Sequence, residues 1–316
     1  MTKLLERVPY ACLNGAYAVR VLDGCTAACA FCYRRGHGSD APPSTVTLAE
    51  NVIDRITDEL AARPRTAARV SHVVIDSEVD GLPSDLQVQD TLFRLFRTLL
   101  DRKIGLSFFT KGVITRRFVD LFATNRGRIR ARVGLAAHDP ALAALLEPSA
   151  APPVERLTTI DTLAGLEALS DVRIDPILPG LTDTDEAITR ALGALAQAGA
   201  RRAVLSYVHL RPAIRELLDR VVPADARRLL DDTYRTQPWV GVGAATEVKL
   251  LPRTYREEGY LRFRQLAQRF GVEIAICQCK NPDLSGDSCG TGEARLFTAE
   301  ARHIAHEPTQ PALFPC

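Results

Sequence analysis

Three cysteines near the amino terminus, Cys25, Cys29 and Cys32, have a spacing that supports metal chemistry. Three closely spaced thiolates can hold three irons of a 4Fe–4S cube and leave the fourth iron open to a substrate or cofactor. Free thiols in a reducing cytosol, or half of a zinc site, are the alternatives. Because His37 stands alone and no histidine follows at zinc-finger spacing, the pattern favours the iron–sulfur cluster.

A second group of cysteines lies in the carboxyl-terminal part and comprises Cys277, Cys279, Cys289 and Cys316. The loop around them is rich in Gly, Asp, Ser and Pro, which suits a metal site better than a core. We expect an auxiliary iron–sulfur cluster, with zinc or free thiols as alternatives. If three cysteines bind it, the substrate, Cys12 or Cys316 could take the fourth position. Since no cysteine lies between Cys32 and Cys277, a disulfide framework is disfavoured.

Strand-like and helix-like segments alternate over the first two thirds of the chain, which predicts parallel β/α units. Strands are expected at 17–22, 72–75, 105–109, 130–135, 172–177 and 203–208, and helices at 48–62, 85–102, 115–124, 154–169 and 185–198. The first of these helices has Thr47 as its expected N-cap. The polar motifs fall at the carboxyl ends of the strands, where barrels of this kind collect their chemistry.

The repeat stops after about residue 209. Helices are expected at 212–221, 224–233 and 253–270, and a late strand at 272–276 leads directly into Cys277. The sequence therefore predicts a β/α domain over residues 1–210 and a cysteine-containing extension over residues 211–316.

Five stretches carry a resemblance to a known family. They are Gly24 to Tyr33, with the aromatic Phe31 before the last cysteine, Phe109-Thr110-Lys111-Gly112, Leu146-Glu147-Pro148, Arg156-Leu157, and Asp175 to Asp183. Together they resemble the radical S-adenosylmethionine (SAM) superfamily, and within it the spore photoproduct lyase-like branch. The resemblance implies an α/β fold, a partial (β/α)6 TIM-type barrel followed by the cysteine-containing extension.

The resemblance also implies cofactors and contacts. The open iron would take the amino and carboxylate groups of SAM, and one electron would cleave SAM to a 5′-deoxyadenosyl radical that abstracts a hydrogen atom. Tyr33 would border the adenine, and Ser77 and Glu78 would lie near the methionine amino group. Lys111 and Arg156 would pair with the SAM carboxylate. An electron donor such as flavodoxin or ferredoxin is the implied protein partner.

Composition and net charge limit the hypotheses about location and partners. The chain has 316 residues, a formal net charge of +2 and no apolar run long enough for a bilayer, so we expect a cytoplasmic protein without a membrane partner. A basic run, Arg126, Arg128, Arg130 and Arg132, alternates with small and apolar residues. This alternation predicts a solvated strand edge rather than a nucleic-acid contact.

These observations favour a radical SAM enzyme acting on a small molecule, such as a metabolite, nucleoside, sugar or peptide. The lyase that names the branch returns a hydrogen atom from a cysteine beyond the cluster loop, and this chain has none between Cys32 and Cys277. A nucleic-acid repair or modification enzyme is the second hypothesis, and steeply salt-dependent DNA binding would support it. A non-catalytic iron–sulfur or zinc scaffold is the third.

Overall fold

The computed structural model describes residues 3–7, 16–32, 46–64, 67, 69–76, 79–242 and 247–285. Within these ranges the strands are β1 (Leu5–Arg7), β2 (Tyr17–Val19), β3 (Leu22–Asp23), β4 (Thr47–Leu48), β5 (His72–Ile75), β6 (Gly105–Thr110), β7 (Ile129–Gly134), β8 (Leu169–Ile177), β9 (Arg202–Tyr207), β10 (Trp239–Gly241), β11 (Glu247–Lys249) and β12 (Glu273–Ile276). The helices are α1 (Val52–Ala61), α2 (Leu86–Asp101), α3 (Arg116–Thr124), α4 (Pro140–Leu146), α5 (Pro153–Gly165), α6 (Asp185–Gln197), α7 (Pro212–Val221), α8 (Ala224–Tyr234) and α9 (Arg253–Ala267). A short 3-10 helix, Gln278–Lys280, follows the last described strand.

Eight of these strands form one sheet in the order β1-β2-β5-β6-β7-β8-β9-β12. The β1–β2 pair is antiparallel, and every following pair is parallel. Helices connect the successive parallel strands, as parallel pairing requires. The predicted α/β fold with a partial barrel of β/α units is confirmed. The last strand, β12, belongs to the predicted extension and pairs with β9 of the β/α region.

The outer face of the sheet packs on the helices and forms the main hydrophobic core. On β6, Leu106 and Phe108 are buried in this core, and Phe108 contacts the rings of Phe96 on α2 and Phe122 on α3. Burying several aromatic side chains in one cluster supplies much of the free energy that holds helices on the sheet.

The inner face of the sheet is polar, which the sequence did not indicate. The side chains that alternate with the core residues on β5 to β8 include His72, Ser107, Arg130, Arg132, Asp171 and Arg173. Arg132 forms an ion pair with Asp171 at 3.5 Å, and its side chain is only 11% exposed. The expectation of a solvated strand edge is therefore wrong for Arg130 and Arg132, because β7 is a central strand whose second face lines the inside of the sheet.

Two local predictions are corrected by backbone pairing and capping. The first helix starts at Val52 after Asn51, not after Thr47, because Thr47 is extended and pairs with Asp23 of β3. Helix α4 was not expected, although its signal is present: the Asp139 carboxylate accepts a hydrogen bond from the Leu142 amide, and Pro140 occupies the first turn.

In the part of the chain that the structure describes, no helix is both long enough and apolar enough to cross a bilayer.

Candidate active site

The loop after β3 brings the three amino-terminal cysteines together at one end of the sheet. Cys29 is buried, and Cys25 and Cys32 are partly buried. Burial is the largest cause that raises the pKa of Cys25 and of Cys29, and the nearby Cys32 sulfur adds to it in both cases. The Cys32 amide donates to the Cys29 carbonyl at 3.2 Å and closes a turn between the two residues.

The cysteine loop is fixed to the body of the molecule from two sides. The Ala30 amide donates to the Leu146 carbonyl at the end of α4, at 2.8 Å. On the opposite side, Asp76 Oδ1 accepts hydrogen bonds from the amides of Val21 and Leu22, just before the loop, at 2.8 and 2.9 Å. Asp76 lies at the end of β5 with a positive φ of 45°, and this geometry directs its carboxylate at the neighbouring strand.

The donor set of this loop fits an iron–sulfur cluster. Thiolates are the ligands that such clusters use, and three of them lie within eight consecutive residues on one loop. Burial raises the pKa of Cys29 to about 11 and also raises that of Cys25, so binding of iron would release protons from these thiols. Among the described residues, no three His, Cys, Asp or Glu side chains converge on the position of a single ion. A cube does not require such convergence, because its cysteines bind separate irons.

A buried chain of charges lies against Cys29. The ammonium of Lys111, just after β6, is 3.3 Å from the Cys29 sulfur and 2.7 Å from Oε1 of Glu147. Burial alone would lower the pKa of Lys111, but Cys29 and Glu147 outweigh it and raise that pKa, so Lys111 is charged. The same ammonium lies 4.8 Å from the centre of the Phe31 ring, which covers it within the loop.

Arg156 completes this charge chain from α5. Its guanidinium binds Oε2 of Glu147 at 2.6 Å, the Gly134 carbonyl at 3.0 Å and the Ala151 carbonyl at 2.5 Å. The Arg156 side chain is only 1% exposed. The structure thus places Arg156 behind Glu147 and not in contact with the cysteine loop, whereas Lys111 contacts the loop directly.

The backbone of Lys111 is anchored by a carboxylate that sequence reasoning missed. Asp80 Oδ2 accepts a hydrogen bond from the Lys111 amide at 2.9 Å, and Oδ1 accepts one from the Leu82 amide at 3.0 Å. Burial raises the pKa of Asp80. Glu147 was also missed as a site residue, although it lies in the Leu-Glu-Pro stretch that carried the family resemblance.

The second described pair of cysteines lies at the end of β12. Cys277 is buried against Val204 and Ala275 on the inner face of the sheet, and Cys279 is partly buried beside it. The other predicted site residues, Tyr33, Ser77, Glu78, Cys289 and Cys316, lie outside the described residues, as does Cys12. The second metal site therefore stays a prediction.

Comparison with solved structures identifies the fold. Spore photoproduct lyase, in a variant with bound AdoMet and a dinucleoside spore photoproduct, matches 82% of this chain and 75% of its own with a TM-score of 0.63 and 16% identity. The radical SAM methyltransferase TsrM from Kitasatospora setae, with cobalamin and a 4Fe–4S cluster bound, matches 65% of this chain and 37% of its own at a TM-score of 0.50 and 16% identity. No family model matches the sequence. The chain therefore has the fold of these radical SAM enzymes, and the predicted likeness to spore photoproduct lyase is confirmed at the level of the fold.

Two mycobacterial proteins are similar in sequence. The uncharacterized protein Rv2578c of Mycobacterium tuberculosis is 30% identical over 269 residues, which are 80% of this chain and 74% of that protein. The uncharacterized protein Mb2609c of Mycobacterium bovis matches to the same extent. The chain belongs to the family that these proteins represent.

Proposed function

We propose that this protein is a radical SAM enzyme that cleaves SAM reductively and abstracts hydrogen from a small-molecule substrate. The observation that carries the proposal is the contact between a buried cysteine of the C-x3-C-x2-C loop, Cys29, and a charged lysine, Lys111, at the end of a parallel sheet with the radical SAM fold. When bound, a 4Fe–4S cluster supplies the electron that converts SAM to methionine and a 5′-deoxyadenosyl radical.

The residues of this chain would hold and orient the cofactors. Cys25, Cys29 and Cys32 would bind three irons, and Phe31 would exclude water from the space between the loop and Lys111. Lys111 is the described cation that touches the loop, so it would attract the carboxylate of SAM. Tyr33, Ser77 and Glu78 are proposed as further SAM contacts.

Arg156 is proposed to act on SAM through Lys111. Glu147 binds Arg156 with one carboxylate oxygen and Lys111 with the other, and this carboxylate is fully buried. Arg156 therefore positions the Lys111 ammonium indirectly, through Glu147. An auxiliary cluster at Cys277, Cys279, Cys289 and Cys316 and an electron donor of the flavodoxin or ferredoxin type remain part of the proposal.

A small-molecule substrate is favoured over nucleic acid by the position of Arg130 and Arg132, two members of the arginine run. Arg132 faces Asp171 inside the sheet, and Arg130 lies on the same face near the buried His72. Side chains in these positions are poorly placed to follow a phosphate backbone on an outer surface.

The test is production of 5′-deoxyadenosine by anaerobically reconstituted, reduced protein mixed with SAM. We expect slow SAM cleavage by the unchanged protein and none by the Cys25→Ala, Cys29→Ala and Cys32→Ala variants. The matched control is Cys12→Ala, which removes a thiol outside the C-x3-C-x2-C loop and should keep SAM cleavage. If Cys29→Ala protein still forms 5′-deoxyadenosine, the assignment of the loop is wrong.

Iron counting tests the second site separately. In a variant that lacks Cys25, Cys29 and Cys32 together, about four remaining irons per chain would support an auxiliary 4Fe–4S cluster. The absence of iron in that variant would argue against the second cluster and would leave the first assignment intact.

A further inference from the structure

The turn after β12 carries the two described cysteines of the carboxyl-terminal group. The Cys277 amide donates to the Leu205 carbonyl of β9 at 3.2 Å, and the Lys280 amide donates to the Cys277 carbonyl at 3.2 Å. Cys277 is buried in a small apolar cluster, and Cys279 packs against that same cluster. Both cysteines thus lie on one compact turn at the end of the sheet.

A buried polar network fixes this turn. Asn281, only 1% exposed, donates through its side-chain amide to the Cys277 carbonyl at 2.9 Å. Its Oδ1 accepts hydrogen bonds from Arg256 at 2.9 Å and from the Tyr260 hydroxyl at 3.0 Å, and both of these residues belong to α9. The backbone that carries the two cysteines is therefore held in place by the protein itself and does not need a metal to form.

His209 contacts the same turn from the neighbouring strand. It lies two residues after the end of β9, and its ring Nε2 is 2.9 Å from the Lys280 carbonyl oxygen. A carbonyl oxygen can only accept a hydrogen bond, so Nε2 carries the proton that is donated. The Lys280 ammonium lies 2.5 Å from Oδ2 of Asp175 on β8, which ties the turn to a second strand. Because Lys280 directly follows Cys279, the hydrogen bond from Nε2 holds the imidazole beside the cysteine turn.

The same hydrogen bond fixes the tautomer of His209. Burial, and then the charge of Lys280, lower the pKa of this histidine to about 4, so the imidazole is neutral near neutral pH. A neutral imidazole with its proton on Nε2 has a bare electron pair on Nδ1. His209 is only partly buried, and Nδ1 makes no hydrogen bond to another described residue. A histidine that binds a metal through one nitrogen and donates from the other to a backbone carbonyl has this arrangement.

The donors around the turn suit a cluster better than a single ion. Thiolates and neutral imidazole nitrogens both bind iron in iron–sulfur clusters. The described side chains of His209, Cys277 and Cys279 do not converge on one position, as a single zinc ion would require. The ligands of a cluster bind separate irons, so they lie further apart than the ligands of one ion.

We propose that His209 binds, through Nδ1, one iron of the auxiliary cluster that Cys277 and Cys279 also bind. In the ligand set of that cluster, His209 replaces Cys316. With Cys289 as the proposed third thiolate, no iron is then left open to the substrate, and the cluster is suited to electron transfer. The inference rests on the proposed function, because it assigns a ligand of the auxiliary cluster that is part of that proposal.

The experiment uses the full-length variant that lacks Cys25, Cys29 and Cys32, in which the auxiliary cluster would be the remaining iron centre. The protein is reconstituted anaerobically and reduced, and pulsed electron paramagnetic resonance measures the coupling of the cluster to nitrogen. We expect about four irons per chain and coupling to a directly bound nitrogen. This coupling should change when the protein is produced with isotopically labelled histidine.

Two substitutions of His209 in this background separate a ligand from a structural contact. Glutamine keeps a donor that can reach the Lys280 carbonyl but has no imidazole nitrogen, whereas cysteine supplies a thiolate but cannot make that hydrogen bond. We expect His209→Gln to lose the nitrogen coupling and part of the iron, and His209→Cys to keep the iron without the coupling. The matched control is His138→Gln, which changes a histidine after β7 and should keep both.

Cys316→Ala in the same background should keep about four irons and the nitrogen coupling. The proposal is overturned if the parent variant binds no iron, if its cluster shows no coupling to a histidine nitrogen, or if His209→Gln keeps the iron and His209→Cys loses it. Loss of iron in Cys316→Ala would assign the position to that cysteine and would also overturn the proposal. None of these readouts depends on SAM cleavage, so failure here leaves the 5′-deoxyadenosine test of the proposed function independent.

Discussion

At the scale of single residues, the most informative group is the buried carboxylate of Glu147 between two cations. Burial alone would raise the pKa of Glu147, but Lys111 and Arg156 outweigh it and lower that pKa. A buried carboxylate that pairs with a cation on each oxygen recovers much of the free energy lost when it leaves water. If that carboxylate is removed, the two buried cations lose this compensation and keep the full desolvation cost. The triad therefore acts as a unit that fixes the Lys111 ammonium beside Cys29.

Glu147→Gln should destabilise the fold strongly, because it leaves Lys111 and Arg156 buried without their shared counter-ion. We expect a loss of about 3–5 kcal/mol in the free energy of unfolding, the range measured when one partner of a buried pair is removed. Urea unfolding of the metal-free protein near neutral pH measures it. The control is Glu186→Gln, which removes the partner of Arg190 in an exposed pair on α6 and should cost about 0.5 kcal/mol or less. Equal effects of the two substitutions would contradict the buried triad.

At the scale of elements, helix α9 and strand β9 approach each other through a glycine. A side-chain carbon added at Gly259 would lie 1.9 Å from the Tyr207 hydroxyl oxygen and 2.8 Å from its ring. Tyr207 cannot easily move, because it is 2% exposed and its hydroxyl donates to Asp183 Oδ2 at 3.1 Å. The close packing of α9 on β9 thus depends on the absence of a side chain at this position.

Gly259→Ala should therefore destabilise the protein although alanine favours helix. We expect a net loss of about 2 kcal/mol, from overpacking of about 1–3 kcal/mol and a disturbed Tyr207–Asp183 hydrogen bond, less about 1 kcal/mol of helix propensity. Thermal or urea unfolding measures the loss. Gly165→Ala at the end of α5 is the matched control, since no atom lies within 4 Å of the added carbon, and it should be neutral or stabilising.

The Tyr207→Phe background provides a second check on this contact. Removal of the hydroxyl takes away the atom nearest to the new methyl group, so Gly259→Ala should cost less in Tyr207→Phe protein than in the unchanged protein. An identical cost in both backgrounds would show that the two residues do not meet as described.

The elements with regular alternation could be predicted from the sequence, because local pattern determines them. The strand 72–75 was predicted with the bounds of β5, and the helix 85–102 differs from α2 by one residue at each end. The helix expected at 154–169 ends at Gly165, because Leu169 already belongs to β8. This boundary is set by pairing with β7, which a local pattern does not contain.

The cysteine loop could also be predicted, since its ligands are adjacent in sequence, but its surroundings could not. Glu147 and Lys111 are 36 positions apart and meet only because α4 ends beside the loop. Lys280 and Asp175 are separated by 105 positions and meet only because β12 joins the sheet beside β9. Such contacts depend on the order of strands in the sheet, which periodicity does not give.

At the scale of the whole molecule, the polar interior of the sheet makes stability depend on pH. His72 on β5 is fully buried on the inner face. Burial, and then the charges of Arg132 and Arg130, lower its pKa to about 3. Burial and the nearby Lys280 lower that of His209 to about 4. In the unfolded chain both histidines titrate near pH 6.5. Between the folded and unfolded pKa values, the unfolded chain binds protons at both histidines and the folded chain does not.

The contribution of these histidines to the free energy of unfolding should accordingly be fully present above about pH 6.5 and should fall as the pH decreases toward about 3. Each such histidine contributes a slope of up to about 1.4 kcal/mol per pH unit. His72→Gln removes one of these protons, so its stability should fall less steeply than that of the unchanged protein over this range, even if it is less stable near neutral pH. Urea unfolding at several pH values gives both slopes, and carboxylates that also titrate contribute equally to both proteins. Parallel slopes would mean that folded His72 accepts a proton, which is incompatible with a buried imidazole that lies near the charges of Arg132 and Arg130.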